Sequence, residues 1–186
     1  MEEIELYLED ARDTMEGALK HLNIELSKIR AGKATPQMLD GIQVDYYGSM
    51  SPLHTVATIN TPDARTIAIK PFEKNMIGEI NKAIRNSNLG FSPSNDGELI
   101  RINIPPLTEE RRRDLVKRAK QETETAKINI RNIRQDANNS IRKLTKEGVS
   151  EDEVKVGEER VQKITDSYIT RVEQVFVAKE KDIMEV

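Results

Sequence analysis

The chain has 186 residues, a length for one ordinary domain or two small ones. Hydrophobic residues make up 37%, charged residues 33% and aromatics 4%, with no Trp, which excludes a thick many-layered globule and leaves the core to aliphatic side chains. Cys is absent, so disulfides, thiolate chemistry and Cys-based metal sites are excluded, and the net charge of −3 gives no whole-chain sign of a polyanionic partner.

The N-terminal MEEIELYLED is acidic and amphipathic, without the basic and apolar regions of a signal peptide. No apolar run nears the length of a membrane span. A cytoplasmic protein with no membrane contact is expected. Residues 2–29 read as one amphipathic helix, with Ile4, Leu8, Ala11, Met15, Ala18, Leu22, Leu26 and Ile29 recurring every three or four positions. Such a stripe needs other elements to cover it.

The period changes at AGKATP (31–36). Alternating runs follow at 41–48, 53–60 and 65–72, separated by turn signals at 48–52 and 61–64. Residues 75–87 suit a short helix capped by Asn75. A loop at 89–97 precedes a last strand at 98–104. Pro105-Pro106 stops that strand. Thr108 then suits an N-cap, and Glu109 and Glu110 favour the first turn of a helix reaching about Lys146. Its apolar stripe comprises residues 115, 119, 126, 130, 133, 137, 141 and 144. Gly148 ends it, and Ser150-x-x-Glu153 is a capping box for a third long helix carrying Val154, Val161, Ile164, Tyr168, Val172, Val175 and Ile183. Gly157 weakens the first turns of that helix.

The pattern predicts an α+β fold. Residues 1–29 and 107–186 form an elongated three-helix bundle, and a small β/α/β lobe (30–106) is inserted between the first and second long helices. The lobe joins the rod through two short connections, near 30–36 and 104–107. A double connection of this kind lets a lobe turn as a unit.

Charge is distributed unevenly. Residues 107–147 hold 12 basic and 7 acidic groups, whereas 1–29 hold 3 and 8, and 148–186 hold 6 and 10. Within the basic segment Lys117, Lys120, Lys127, Arg131, Arg134 and Arg142 step at helical spacing, with Glu124 and Asn138 filling gaps. An ordinary solvated helix face explains such a stripe as readily as a polyanion does. The local excess between two acidic helices favours an RNA contact, with arginine forks suited to phosphate. No aromatics interleave, which disfavours base stacking and favours backbone and shape recognition. Arg111, Arg112 and Arg113 sit beside Glu109 and Glu110 and read as locally paired. His21 and His54 have no second ligand at metal spacing, and there is no G-x-S-x-G elbow or phosphate loop. No catalytic residue, metal or cofactor is expected. A helical protein-interaction rod and a general RNA chaperone are the competing readings.

Two stretches carry a resemblance. SKIRAGKATPQMLDGIQVDYYGS (27–49) and IPPLTEERRRDLVKRAKQETETAKINIRNIRQDANNSIRKL (104–144) resemble the signatures of the ribosome recycling factors, and the likeness extends over essentially the whole chain. The resemblance implies an L-shaped, non-catalytic monomer of transfer-RNA dimensions. It implies binding to the post-termination 70S-type ribosome through large-subunit ribosomal RNA. It also implies subunit splitting with elongation factor G, which supplies the GTP hydrolysis. By the family's motif, the RNA contacts centre on Arg131, Asn132 and Arg134. The hinge falls at Arg30, Ala31, Gly32 and Lys33 on one connection, and at Ile104, Pro105, Pro106 and Leu107 on the other.

Overall fold

The computed structural model describes residues 2–185. Its elements run α1 (Glu2–Ser27), β1 (Gln43–Tyr46), β2 (Ser49–Pro52), the single turn α2 (Leu53–Val56), β3 (Ala57–Asp63), β4 (Thr66–Pro71), α3 (Ile77–Asn86), β5 (Pro93–Asn95), β6 (Ile100–Asn103), α4 (Glu109–Lys143) and α5 (Glu151–Met184). This is the α+β class expected. The chain divides into two units, Met1–Ala31 with Glu109–Val186, and Gly32–Thr108.

In the first unit α1, α4 and α5 each pack on the other two. Ile4, Leu8, Ala11, Met15, Leu19, Leu22 and Leu26 of α1 are buried. Leu19, not Ala18, belongs to the stripe, because the larger side chain four residues after Met15 continues the same face. Leu8, Met15, Leu22 and Ile130 are fully buried, worth about 1.5–3 kcal/mol each. Gly157 of α5 is buried too. A β-carbon there would stand 3.0 Å from Ile4 Cγ2 and 3.2 Å from Ile141 Cγ2. This glycine therefore marks a close approach of α5 to Ile4 of α1 and Ile141 of α4. Its role is packing, not only the weak helix-forming tendency its type suggests.

Polar contacts lock the helices in register. Arg160 Nη1 and Nη2 donate to Glu5 Oε2 and Oε1 at 2.7 and 2.9 Å. Arg171 Nη1 and Tyr168 Oη both donate to Glu16 Oε2, at 2.8 and 2.9 Å. These bonds hold the carboxyls of Glu5 and Glu16 below the ordinary glutamate range, Arg160 acting on the first, and Arg171 then Tyr168 on the second. The acid excess of α1 is thus spent partly on α5. Arg112 reaches beyond the local pairing expected of the Arg111–Arg113 run. It is buried, and its Nη1 donates to the carbonyls of Ile183, Met184 and Glu185 at 3.4, 3.2 and 3.0 Å. A cation there satisfies carbonyls at the negative end of the α5 dipole. Arg113 follows the expected local pattern, bonding Glu109 one turn back. The α5 N-terminus carries the full Ser150–Glu153 capping box. At the other junction, α4 gives way to a 3-10 turn at Leu144–Glu147, which Gly148 closes at φ +98°.

The second unit is built on an antiparallel sheet of order β3-β4-β6-β5 and a separate β1-β2 hairpin. Strand alternation puts Ile100 and Ile102 of β6 inside and Arg101 and Asn103 outside. Ile67 and Ile69 of β4 lie beside them, and Ile80 and Ile84 of α3 belong to the same core. Three elements differ from the sequence expectation. The hairpin turn falls at Tyr47-Gly48, both at positive φ, so Ser49–Pro52 is a strand and not the turn. Residues 53–56 form a helical turn because Pro52 ends the hairpin and its carbonyl accepts from Thr55 Oγ1 at 2.6 Å, which directs Leu53 and Val56 inward together. Within the expected 89–97 loop, Pro93–Asn95 adds an edge strand to β6, where proline loses no needed donor. Asn75 does not cap α3. It lies in a 3-10 turn at Lys74–Met76 and donates to Tyr47 Oη at 2.9 Å.

Candidate nucleic-acid interface

Lys117, Lys120, Lys127, Arg131, Asn132, Arg134 and Arg142 all lie on α4, but their surroundings divide them. A helix turns about 100° per residue, so Arg131 and Asn132 swing progressively away from the buried Ile130. Arg131, Asn132, Lys117 and Lys120 are exposed, and none makes a side-chain hydrogen bond or ion pair with another described residue. Four polar side chains are thus open on the bundle surface, three of them cationic.

The other three cations face α5. Lys127 is only 15% exposed and stands 3.2 Å from Glu173 and 3.6 Å from Glu124. Arg142 Nε donates to Glu158 Oε1 at 2.5 Å. Arg134 is half-buried, and its Nη1 donates to Gln162 Oε1 at 3.4 Å. The basic stripe is therefore partly neutralised by α5 carboxylates. Arg134 is the exception, since its acceptor is a neutral amide. Asn138 lies between Arg134 and Arg142 along the helix, with its Oδ1 enclosed and without a hydrogen-bond partner in the protein.

These α5 partners were not among the candidates from the sequence. Their signal was present, because Glu158, Gln162 and Asp166 recur at i, i+4 and i+8 on one polar face of α5. What the chain order alone withholds is the rotation of α5 that brings this face against α4.

The connections carry definite geometry. Gly32 has φ +73°, and a β-carbon on it would stand 2.6 Å from Leu107 Cγ. Ala34 N–H donates to Ala64 O at 2.8 Å, and Ile104 N–H donates to Arg65 O at 2.7 Å. Both segments are thus pinned to the turn between β3 and β4. Arg30, Pro105 and Pro106 are exposed, and Ala31, Lys33, Ile104 and Leu107 half-buried. Among the described residues there is no cluster of three or more His, Asp or Glu able to hold a metal ion, and His21 and His54 are exposed. No described helix is long and apolar enough to cross a membrane.

Residues 22–184 match the family model of the ribosome recycling factor. The chain is 59% identical to the ribosome-recycling factor of Cytophaga hutchinsonii over 186 residues, covering all of both chains. It is 56% identical to that of Flavobacterium psychrophilum over 185 residues, covering all of this chain and 99% of the relative. A solution structure of the ribosome recycling factor is 39% identical with full coverage of both chains and a TM-score of 0.69. A further match comes from models of the T. thermophilus ribosome recycling factor and the E. coli elongation factor G bound to the E. coli post-termination complex. It is 42% identical, covers 97% of this chain and 98% of the other, and has a TM-score of 0.58. The chain belongs to the ribosome recycling factor family.

Proposed function

We infer that this protein binds the post-termination ribosome and, together with elongation factor G and GTP, promotes its separation into subunits. The observation that carries this reading is end-to-end likeness to recycling factors, including one placed on a post-termination complex beside elongation factor G. The protein does no bond-making chemistry of its own, and nucleotide hydrolysis belongs to the translocase. It works as a monomer in the cytoplasm, without a cofactor.

The cations of α4 that carry no carboxylate partner supply the physical means of docking. Phosphates of large-subunit RNA take hydrogen bonds from Arg131 and Arg134, with Asn132 exposed next to Arg131 in the chain and Lys117 and Lys120 adding sequence-independent attraction along the helix. The cross-helix bonds stiffen the bundle, so that a push delivered to the protein reaches the RNA contact. The connections at Arg30–Lys33 and Ile104–Leu107 serve as the hinge, with their lobe-side ends held to the β3–β4 turn through Ala34 and Ile104.

The test is light scattering from reconstituted post-termination ribosomes. Scattering is expected to fall when this protein, elongation factor G and GTP are all present, and to hold steady when any one is omitted. No protein-dependent fall would overturn the reading.

A further inference from the structure

Gln162 and Asp166 of α5 form a small relay onto Arg134. Gln162 Nε2 donates to Asp166 Oδ1 at 2.8 Å, and Gln162 Oε1 accepts from Arg134 Nη1 at 3.4 Å. The amide orientation is dictated from both sides. An ionised carboxylate only accepts, so the amide nitrogen must face Asp166. A guanidinium only donates, so the amide oxygen must face Arg134. The neighbouring cations of the stripe are treated differently, with Lys127 held by Glu173 and Glu124, and Arg142 by Glu158. A carboxylate at position 162 would also hold Arg134, but it would cancel the charge.

We propose that Gln162, locked by Asp166, is a positioning residue for RNA binding: it fixes the Arg134 guanidinium while leaving its positive charge available to a phosphate. This rests on the reading of Arg134 as an RNA contact. The stripe then divides by partner chemistry. Carboxylate-bound Lys127 and Arg142 join α4 to α5, whereas amide-bound Arg134 and open Arg131 face the polyanion.

The experiment measures binding to isolated large ribosomal subunits over a series of salt concentrations. It uses wild type, Gln162→Glu, Asp166→Asn, Arg134→Ala and the Arg134→Ala/Gln162→Glu double variant, each checked for unchanged helicity. Gln162→Glu is expected to weaken binding about tenfold and to lower the salt slope by about one, as loss of one phosphate contact does. Asp166→Asn is nearly isosteric and frees the amide to turn, and is expected to weaken binding less. In the Arg134→Ala background Gln162→Glu is expected to change nothing further, whereas simple repulsion between a new carboxylate and RNA would persist there. Two results would overturn the positioning role and leave the RNA contact standing. One is a weakened Arg134→Ala beside an unaffected Gln162→Glu, and the other is a Gln162→Glu loss that survives in the double variant. Wild-type affinity in Arg134→Ala would instead remove the RNA contact on which the role rests.

Discussion

Gly32 lies against the side chain of Leu107, so close that a β-carbon on Gly32 would stand 2.6 Å from Leu107 Cγ. The two connecting segments meet at this point inside the sheet unit. Gly32 also has φ +73°, where other residues are strained. Gly32→Ala is expected to cost the sheet unit about 1–3 kcal/mol, measured by urea denaturation. Leu107→Ala in the same chain makes room and should recover part of that loss. Wild-type stability in Gly32→Ala would contradict the close packing.

Two helical glycines should respond with opposite sign. Nothing lies within 4 Å of a β-carbon built on Gly17, and that position is exposed. Gly17→Ala should stabilise the bundle by about 0.5–1 kcal/mol through helix propensity. Gly157→Ala gains the same propensity but meets Ile4 and Ile141 at 3.0 and 3.2 Å. Overpacking costs about 1–3 kcal/mol and should win there. Thermal unfolding of the two variants decides the point, and a stabilised Gly157→Ala would refute the tight contact.

Glu5 and Glu16 make bundle stability fall in acid. Bonds from Arg160 to Glu5, and from Arg171 and Tyr168 to Glu16, depress both carboxyls in the folded state. A depressed carboxyl stabilises the fold above its unfolded value, near ~4.3, and that contribution is lost as pH falls through the folded value. Melting temperature should therefore drop below about pH 4. Glu5→Gln/Glu16→Gln should flatten the drop while lowering stability at neutral pH. Identical pH profiles for the two proteins would exclude these pairs as its source.

Arg112 holds the end of α5. Its bonds to three carbonyls near the C-terminus should disappear in Arg112→Ala, at a cost of about 1.5–3 kcal/mol. Amide hydrogen exchange should speed up around Ile183 and stay unchanged around the α5 capping box. Uniform acceleration along α5 would point to global loosening instead of a lost cap.

The long helices were legible because apolar residues recur at three and four over many turns, and a single slip such as Ala18 for Leu19 does not move the helix. The sheet unit was less so. Tyr47-Gly48 lacks the Asn-Gly signature of a tight hairpin, and Pro52, Thr55 and Val56 impose one helical turn on a run that reads as a strand. Edge strand β5 is only three residues long and contains a proline. At the candidate interface the cations themselves were visible in sequence. Which of them are neutralised was not, because Glu173, Gln162 and Glu158 reach Lys127, Arg134 and Arg142 only once α4 and α5 are packed. Arg112 shows the same gap, since its partners lie more than 70 residues away in the chain.

The most direct test of docking through the open face of α4 is the rate of post-termination ribosome splitting by Arg131→Glu, followed by light scattering with elongation factor G and GTP. Arg131 is exposed and makes no side-chain hydrogen bond or ion pair with another described residue, so folding should be untouched and melting temperature unchanged. Splitting at a fixed subsaturating concentration should slow by about tenfold or more, as loss and reversal of one charge-assisted phosphate contact require. Splitting at the wild-type rate by the folded variant would contradict the assignment of this face to ribosomal RNA.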